Sequence, residues 1–271
     1  MVPKSKFYSR LRMRQPGDTL FNLPIHIDGG GIERWKDPAY RQVYRHIIGG
    51  RWKDYDPFEA DYRAEATMSE AGTAKGCSFF RAFQGWLSMS HSGPGKGTLR
   101  VLPLLKEPTA FWMLRPFASD VPKGAFPGCY PSKTFHVTQR WHKLLADHLV
   151  SLPEIGPGDT VWWHPDIVHT VENHHGGDEP NAVFYIGFGP DCRINRNYLR
   201  HMRHSFLLGT SPPDFPEKTN FEVDYKDRAA FDDLSDVGLK MAGFPLPNIL
   251  TPDSFQHHLG TSDKGHSFQC M

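Results

Sequence analysis

The chain has 271 residues, 39% hydrophobic and 23% charged, a balance expected of a soluble globular protein that excludes a largely disordered chain. Lys+Arg 31 against Asp+Glu 30 leave a formal charge of +1, so nucleic acid is not an expected partner. No apolar run approaches the ~18 residues of a membrane-spanning helix, and four scattered cysteines (Cys77, Cys129, Cys192, Cys270) with no C-x-x-C argue against a disulfide framework or a zinc–thiolate site.

The first fourteen residues carry Lys4, Lys6, Arg10, Arg12 and Arg14 and no acid. They read as a solvated basic start, with a mitochondrial targeting segment as the alternative. Without an apolar h-region, secretion is not expected, and a cytoplasmic location is. Residues 20–27 read as a short strand interrupted by Pro24 and ended by Gly29-Gly30-Gly31. Asp37-Pro38 has the form of an N-cap followed by proline at N1. Ala39, Val43 and Ile47 continue at helical spacing to Gly49-Gly50. Residues 51–76 are charged and aperiodic, which predicts a long loop.

Strands are predicted over 79–89 and 98–102, separated by the turn Pro94-Gly95-Lys96-Gly97. Helices are predicted over 109–117 and 138–150. Pro157-Gly158-Asp159 turns the chain into a strand at 160–163. A second apolar stretch (167–171), a Gly-rich loop (172–180) and a strand (181–188) follow, then a helix over 193–208 stopped by Gly209. Residues 257–271 read as a mobile tail. Short strands and turns with helices in the connections lack the β–α alternation of a parallel sheet. The predicted architecture is mainly β with helical decorations, a jelly roll or related barrel. The division expected is a domain over 1–216 and a C-terminal extension over 217–271.

The sharpest chemical feature is His26-Ile27-Asp28. In a strand, residues i and i+2 project from one face, so the imidazole and carboxylate can share a metal ion while Ile27 faces a packed core. A second copy, His164-Pro165-Asp166, is followed by His169. One His-x-Asp pair and one distant His make the two-His-one-carboxylate facial triad, which leaves three positions open. His164 is an alternative ligand, and Asp166 an alternative ligand or an acceptor that orients an imidazole. Trp86, Trp163 and His91 are candidate pocket residues.

The stretches HIDGGGIERWKDPAYRQVYRHI, FFRAFQGWLSMSHSGPGKGTLRVLP, GDTVWWHPDIVHTVE and SPPDFP together resemble a family of uncharacterised bacterial and fungal proteins. That family is similar to the phytanoyl-CoA hydroxylase group of Fe(II)/2-oxoglutarate dioxygenases. The resemblance covers about residues 8–216. It implies a double-stranded β-helix (cupin-like) core, Fe(II) held by His26, Asp28 and His169, 2-oxoglutarate as cosubstrate, and a small-molecule substrate. Two departures stand out. The group has an Arg about a dozen residues after its distal His, where this chain has Asn181. Arg81, Arg100 and Arg115 are the candidates to replace it, Arg81 first, with Gln84 as a further ligand to a bound carboxylate. The family also carries a substantial segment before the His-x-Asp strand, so a truncated or short form is expected here. The rival readings are a catalytically impaired binding or scaffold protein and a cupin-type metalloenzyme that uses no 2-oxo acid.

Overall fold

Short strands with one apolar face must find a second layer to cover it, and here two antiparallel sheets supply it. The computed structural model describes residues 2–3, 11–19, 23–66, 79–131, 133–210 and 223–244. Lys4, Lys6, Arg10, Leu20, Cys77, Cys270, residues 67–76, the SPPDFP stretch at 211–216 and the 257–271 tail lie outside them. The first sheet holds β1 (Val2–Pro3), β2 (Leu11–Arg14), β4 (Phe83–Ser88), β8 (Thr160–Trp163) and β10 (Asn181–Gly189). Its order is β1-β10-β4-β8, with β2 also paired to β10. The second sheet runs β6-β3-β9-β5-β7, from β3 (His26–Ile27), β5 (Leu99–Val101), β6 (Phe135–His136), β7 (Val150–Ser151) and β9 (His169–Val171).

The second sheet carries the largest core on its outer side. Ile27 is fully buried there, as its place between His26 and Asp28 predicts, in one cluster with Trp35, Tyr44, Trp112 and Phe135. The covering helices are α1 (Glu33–Lys36), α2 (Pro38–Val43), α3 (Arg45–Ile48), α4 (Lys106–Leu114) and α5 (Gln139–Ala146). Asp37 caps α2 as the sequence predicts, its Oδ1 accepting from the backbone N–H groups of Ala39 and Tyr40. The single helix expected beyond it is broken at Tyr44 (φ −102°, ψ 18°). The Tyr44 ring is fully buried, 5.6 Å from Trp112 and 6.0 Å from Tyr55, and this packing overrides local helical continuity.

Other boundaries shift for similar reasons. The helix predicted over 138–150 ends at Ala146, because Val150 and Ser151 pair with Val101 and Arg100 of β5. The helix predicted over 109–117 starts earlier, at Lys106, and tightens into a 3-10 turn at Arg115–Phe117, where Pro116 has no N–H to continue it. The last long helix, α6, spans Arg193–Leu208 as predicted and ends at Gly209 with φ +69°, a conformation that favours glycine. Phe206 of α6 shares a core with Leu239, Ala242 and Phe244 around α7 (Asp236–Met241). No helix among the described residues is long and apolar enough to cross a membrane.

Candidate metal centre

Strands β3 and β9 are neighbours, and their register sets His26 directly opposite His169. Opposed residues of an antiparallel pair project from the same face, so both imidazoles reach the inner side, ring centroids 4.2 Å apart. His26 Nδ1 lies 2.7 Å from the Pro24 carbonyl, and His169 Nδ1 lies 2.9 Å from the Ile167 carbonyl. A carbonyl only accepts, so Nδ1 carries the proton in each ring and Nε2 presents a lone pair. Burial, then the neighbouring His169, lowers the His26 pKa to about 4, so this ring is neutral at pH 7.

Asp28 occupies the bend that follows β3. Its Oδ1 is 3.6 Å from His26 Nε2 and its Oδ2 is 3.4 Å from His169 Nε2. One donor atom from each of the three residues falls within 4.8 Å of the others. Burial opposes ionisation of Asp28, but its neighbours His169, His26 and Arg81 outweigh it, and the carboxyl sits well below its ordinary value. Gln84 of β4 reaches across from the opposite sheet and donates its amide N–H to Asp28 Oδ2 at 2.9 Å. Such a bond orients a ligating carboxylate. The bend depends on Gly29 and Gly30, at φ +93° and +102°, which residues with a side chain rarely adopt. Two ring nitrogens and one carboxylate, with no fourth donor in the cluster among the described residues, suit a metal ion with open positions rather than a closed structural zinc site.

The triad opens on a cavity of about 450 Å³ lined from both sheets. Trp86, Trp163, Arg81, Gln84 and Asn181 all line it, and the Trp163 ring stands 5.6 Å from His169. The Asn181 side-chain amide donates to Ser92 Oγ (2.9 Å) and to the Lys96 carbonyl (2.8 Å), so its N–H groups serve the cavity rim.

Several sequence candidates fall elsewhere. His91 is exposed and off the cavity wall, beside Gly156, where the turn after Ser90 carries it. Arg100 donates to the Leu149 carbonyl, and Arg115 is paired with Asp120 at 2.5 Å; neither lines the cavity. His164 and Asp166 are not part of the triad. His164 Nδ1 accepts the Asp166 backbone N–H at 3.0 Å, and the ring also hydrogen-bonds the Pro57 backbone. Both ring nitrogens are therefore engaged. Asp166 is buried between Arg34 and Arg63, 2.7 Å from each. Arg196, Arg200 and Arg203 of α6 do not line the cavity, and Arg196 is paired to Asp191 at 2.9 Å.

Sequence reasoning overlooked Arg12, Arg14 and His136, which line the same cavity. The period-two alternation Leu11-Arg12-Met13-Arg14 was the available signal. It is inverted, however: Leu11 and Met13 are 58% and 53% exposed, and the arginines face inward. Arg14 is held by Asp18 and by the Gly97 and Glu172 carbonyls, while the Arg12 guanidinium sits 5.0 Å above the Tyr185 ring.

Two antiparallel sheets around a His–Asp–His centre thus define a mainly β protein with a candidate metal site. The chain belongs to the Gig2-like family, whose match spans residues 4–244. It is 37% identical over 240 residues to the uncharacterised protein YbiU of Escherichia coli K12, covering 88% of this chain and 56% of YbiU. The E. coli hypothetical protein JW0805 superposes with a TM-score of 0.81 at 36% identity, over 90% of this chain and 59% of that one. A Salmonella typhimurium LT2 protein provisionally named an oxidoreductase gives 0.79 at 36%, over 86% and 56%. The Candida albicans GlcNAc Inducible Gene 2 protein gives 0.77 at 31%, over 92% and 59%. The chain therefore spans under three fifths of the length of these relatives.

Proposed function

We propose that this chain forms the metal-binding core of an Fe(II)/2-oxoglutarate-dependent dioxygenase that hydroxylates a small molecule, on a double-stranded β-helix of the phytanoyl-CoA hydroxylase kind. The observation that carries the reading is the convergence of the His26 and His169 Nε2 lone pairs with the Asp28 carboxylate at one end of a cavity. The provisional naming of the Salmonella relative as an oxidoreductase points the same way. When bound, Fe(II) and 2-oxoglutarate supply the oxidising chemistry, dioxygen being consumed as the oxo acid goes to succinate and CO2 and one substrate C–H becomes C–OH.

The chain's own residues have separable tasks. His26, Asp28 and His169 would hold the metal by one face and leave the cavity side open. Gln84 keeps the Asp28 carboxylate from rotating. Arg81 and Arg12 put positive charge on the cavity wall where a dicarboxylate has to be recognised, and a guanidinium matches a carboxylate fork. With Asn181 committed to Ser92 and Lys96, the cation would come from Arg81, just before β4, or from Arg12 of β2. Trp86 and Trp163 form an apolar wall that orients a substrate C–H and excludes water.

The test is succinate formation from 2-oxoglutarate by the purified chain with Fe(II) and ascorbate, with and without His26→Ala. Uncoupled turnover that the substitution removes is the expected result. A folded sample that binds iron and 2-oxoglutarate yet makes no succinate supports the impaired binding protein, and iron binding with no affinity for 2-oxoglutarate supports the cupin-type enzyme.

A further inference from the structure

The second His-x-Asp motif lies outside the metal triad, yet it builds a densely bonded buried site. Asp166 and Arg34 are 2% and 1% exposed. Arg34 Nη1 donates to Asp166 Oδ1 and Arg63 Nη2 donates to Asp166 Oδ2, each at 2.7 Å. The Tyr44 hydroxyl donates to the same carboxylate at 3.2 Å. A buried ion cluster of this kind adds little net stability over an apolar packing, so stability alone does not account for it.

Its position does. Arg34 Nη2 donates to the Asp28 carbonyl at 2.5 Å, and Arg34 Nε donates to the Gly30 carbonyl at 3.1 Å. The Tyr40 hydroxyl donates to the Gly29 carbonyl at 2.8 Å. All three carbonyls of the bend that carries Asp28 are thereby tied down. On the other side, Asp166 opens the segment that ends in His169. Its next residue, Ile167, supplies the carbonyl that fixes the His169 ring. The Val168 carbonyl accepts from the Leu102 N–H at 2.9 Å, which seats the segment on the sheet. One guanidinium thus bridges the backbone that carries the carboxylate ligand and the loop that carries the distal imidazole.

We infer that Arg34, locked by Asp166 and assisted by Tyr40, is a positioning unit that fixes the separation of Asp28 from His169 and so sets the affinity and geometry of the metal centre. The inference rests on the metal-binding reading of the triad. Partners that hold metal ligands in place are worth about 10–100-fold in affinity. Arg34, Tyr40 and Asp166 do not line the cavity, so the unit acts through the two ligand-bearing segments.

The experiment is a calorimetric titration of the apoprotein with Co(II), with the visible Co(II) absorption recorded on the same samples. Arg34→Lys keeps the charge and loses the fork that spans Asp166 and the bend; its Co(II) affinity is expected to fall about 10–100-fold with an altered band pattern. Tyr40→Phe removes a single hydrogen bond and keeps the ring, so a smaller loss is expected in a variant that still folds. Val43→Ala, in the same helix and core cluster, serves as the control for lost stability, and it is expected to lower the melting temperature and leave the Co(II) affinity and spectrum as in the wild type. Wild-type affinity and spectrum in the folded Arg34→Lys and Tyr40→Phe proteins, or an equal affinity loss in Val43→Ala, overturns the inference while leaving the triad standing. Absence of Co(II) binding by the wild type overturns the metal centre itself and this unit with it.

Discussion

His26-Ile27-Asp28 and His164-Pro165-Asp166 carry the same two polar residue types at the same spacing, and the fold uses them in opposite ways. In the first, the imidazole gives its Nδ1 proton to a backbone carbonyl and turns a bare Nε2 toward the cavity. In the second, Nδ1 is the acceptor for a backbone N–H, so no lone pair is left to offer a metal. The first carboxylate is partly exposed and lies beside two imidazoles, one amide and the charge of Arg81. The second is buried with two guanidinium groups. On the proposed reading, a His-x-Asp pair can serve a metal where hydrogen bonds leave Nε2 unprotonated and no pair of buried guanidinium groups encloses the carboxylate.

The largest expected difference between the motifs is in metal binding. His26→Ala should abolish Co(II) or Fe(II) binding by calorimetry, while the apoprotein still unfolds cooperatively. His164→Ala should retain binding. Loss of folding in His26→Ala would assign His26 to the core and erase the contrast. The reverse asymmetry belongs to stability. Asp166→Ala leaves Arg34 and Arg63 buried without their shared anion and should cost about 3–5 kcal/mol in denaturant unfolding. Asp28→Ala should cost far less, because that carboxylate is partly exposed and its loss strands no pair of buried guanidinium groups. Equal destabilisation by the two substitutions would break the comparison.

A smaller effect is expected at Gln84. Gln84→Leu removes the amide that holds Asp28 Oδ2 and should weaken metal affinity about tenfold, with little change in melting temperature. A pH effect is shared by both motifs. Burial lowers the pKa of His26 and of His164 to about 4. Below the ordinary imidazole value of 6.5 the unfolded chain takes up protons that the folded chain refuses until about pH 4. Stability is thus complete above pH 6.5 and declines as the pH falls toward 4. Unfolding of the apoprotein by urea at pH 7 and pH 5 checks this, and His164→Gln should show the shallower decline. A stability that does not change between those pH values would contradict the protonation states assigned here.

The sequence made the convergence of His26, Asp28 and His169 legible, because its signal is local at two points: a His-x-Asp pair at a strand end, and a histidine after an apolar strand. The fate of the second pair was not legible. Its partners Arg34 and Arg63 stand 132 and 103 residues away in the chain, one on α1 and one in the stretch expected to be only a loop. Nothing in the run His164-Pro165-Asp166 announces two guanidinium groups. Arg12 and Arg14 were hidden for a different reason, since a strand whose cations face inward reverses the pattern by which strands are read. The helix through Tyr44 failed at a residue whose buried ring and hydroxyl answer to Trp112, Tyr55 and Asp166, contacts that helical periodicity does not encode. The mainly β character was foreseeable from the short strands and turns, and the positions of α6 and of the Asp37 cap from single residues.

The most direct test of the central claim is anomalous diffraction at the iron edge from crystals grown with Fe(II) under anaerobic conditions. One strong peak is expected, bounded by His26 Nε2, His169 Nε2 and the Asp28 carboxylate, with none beside His164 and Asp166. A peak at the second motif, or no peak at the first in a folded protein, would contradict it.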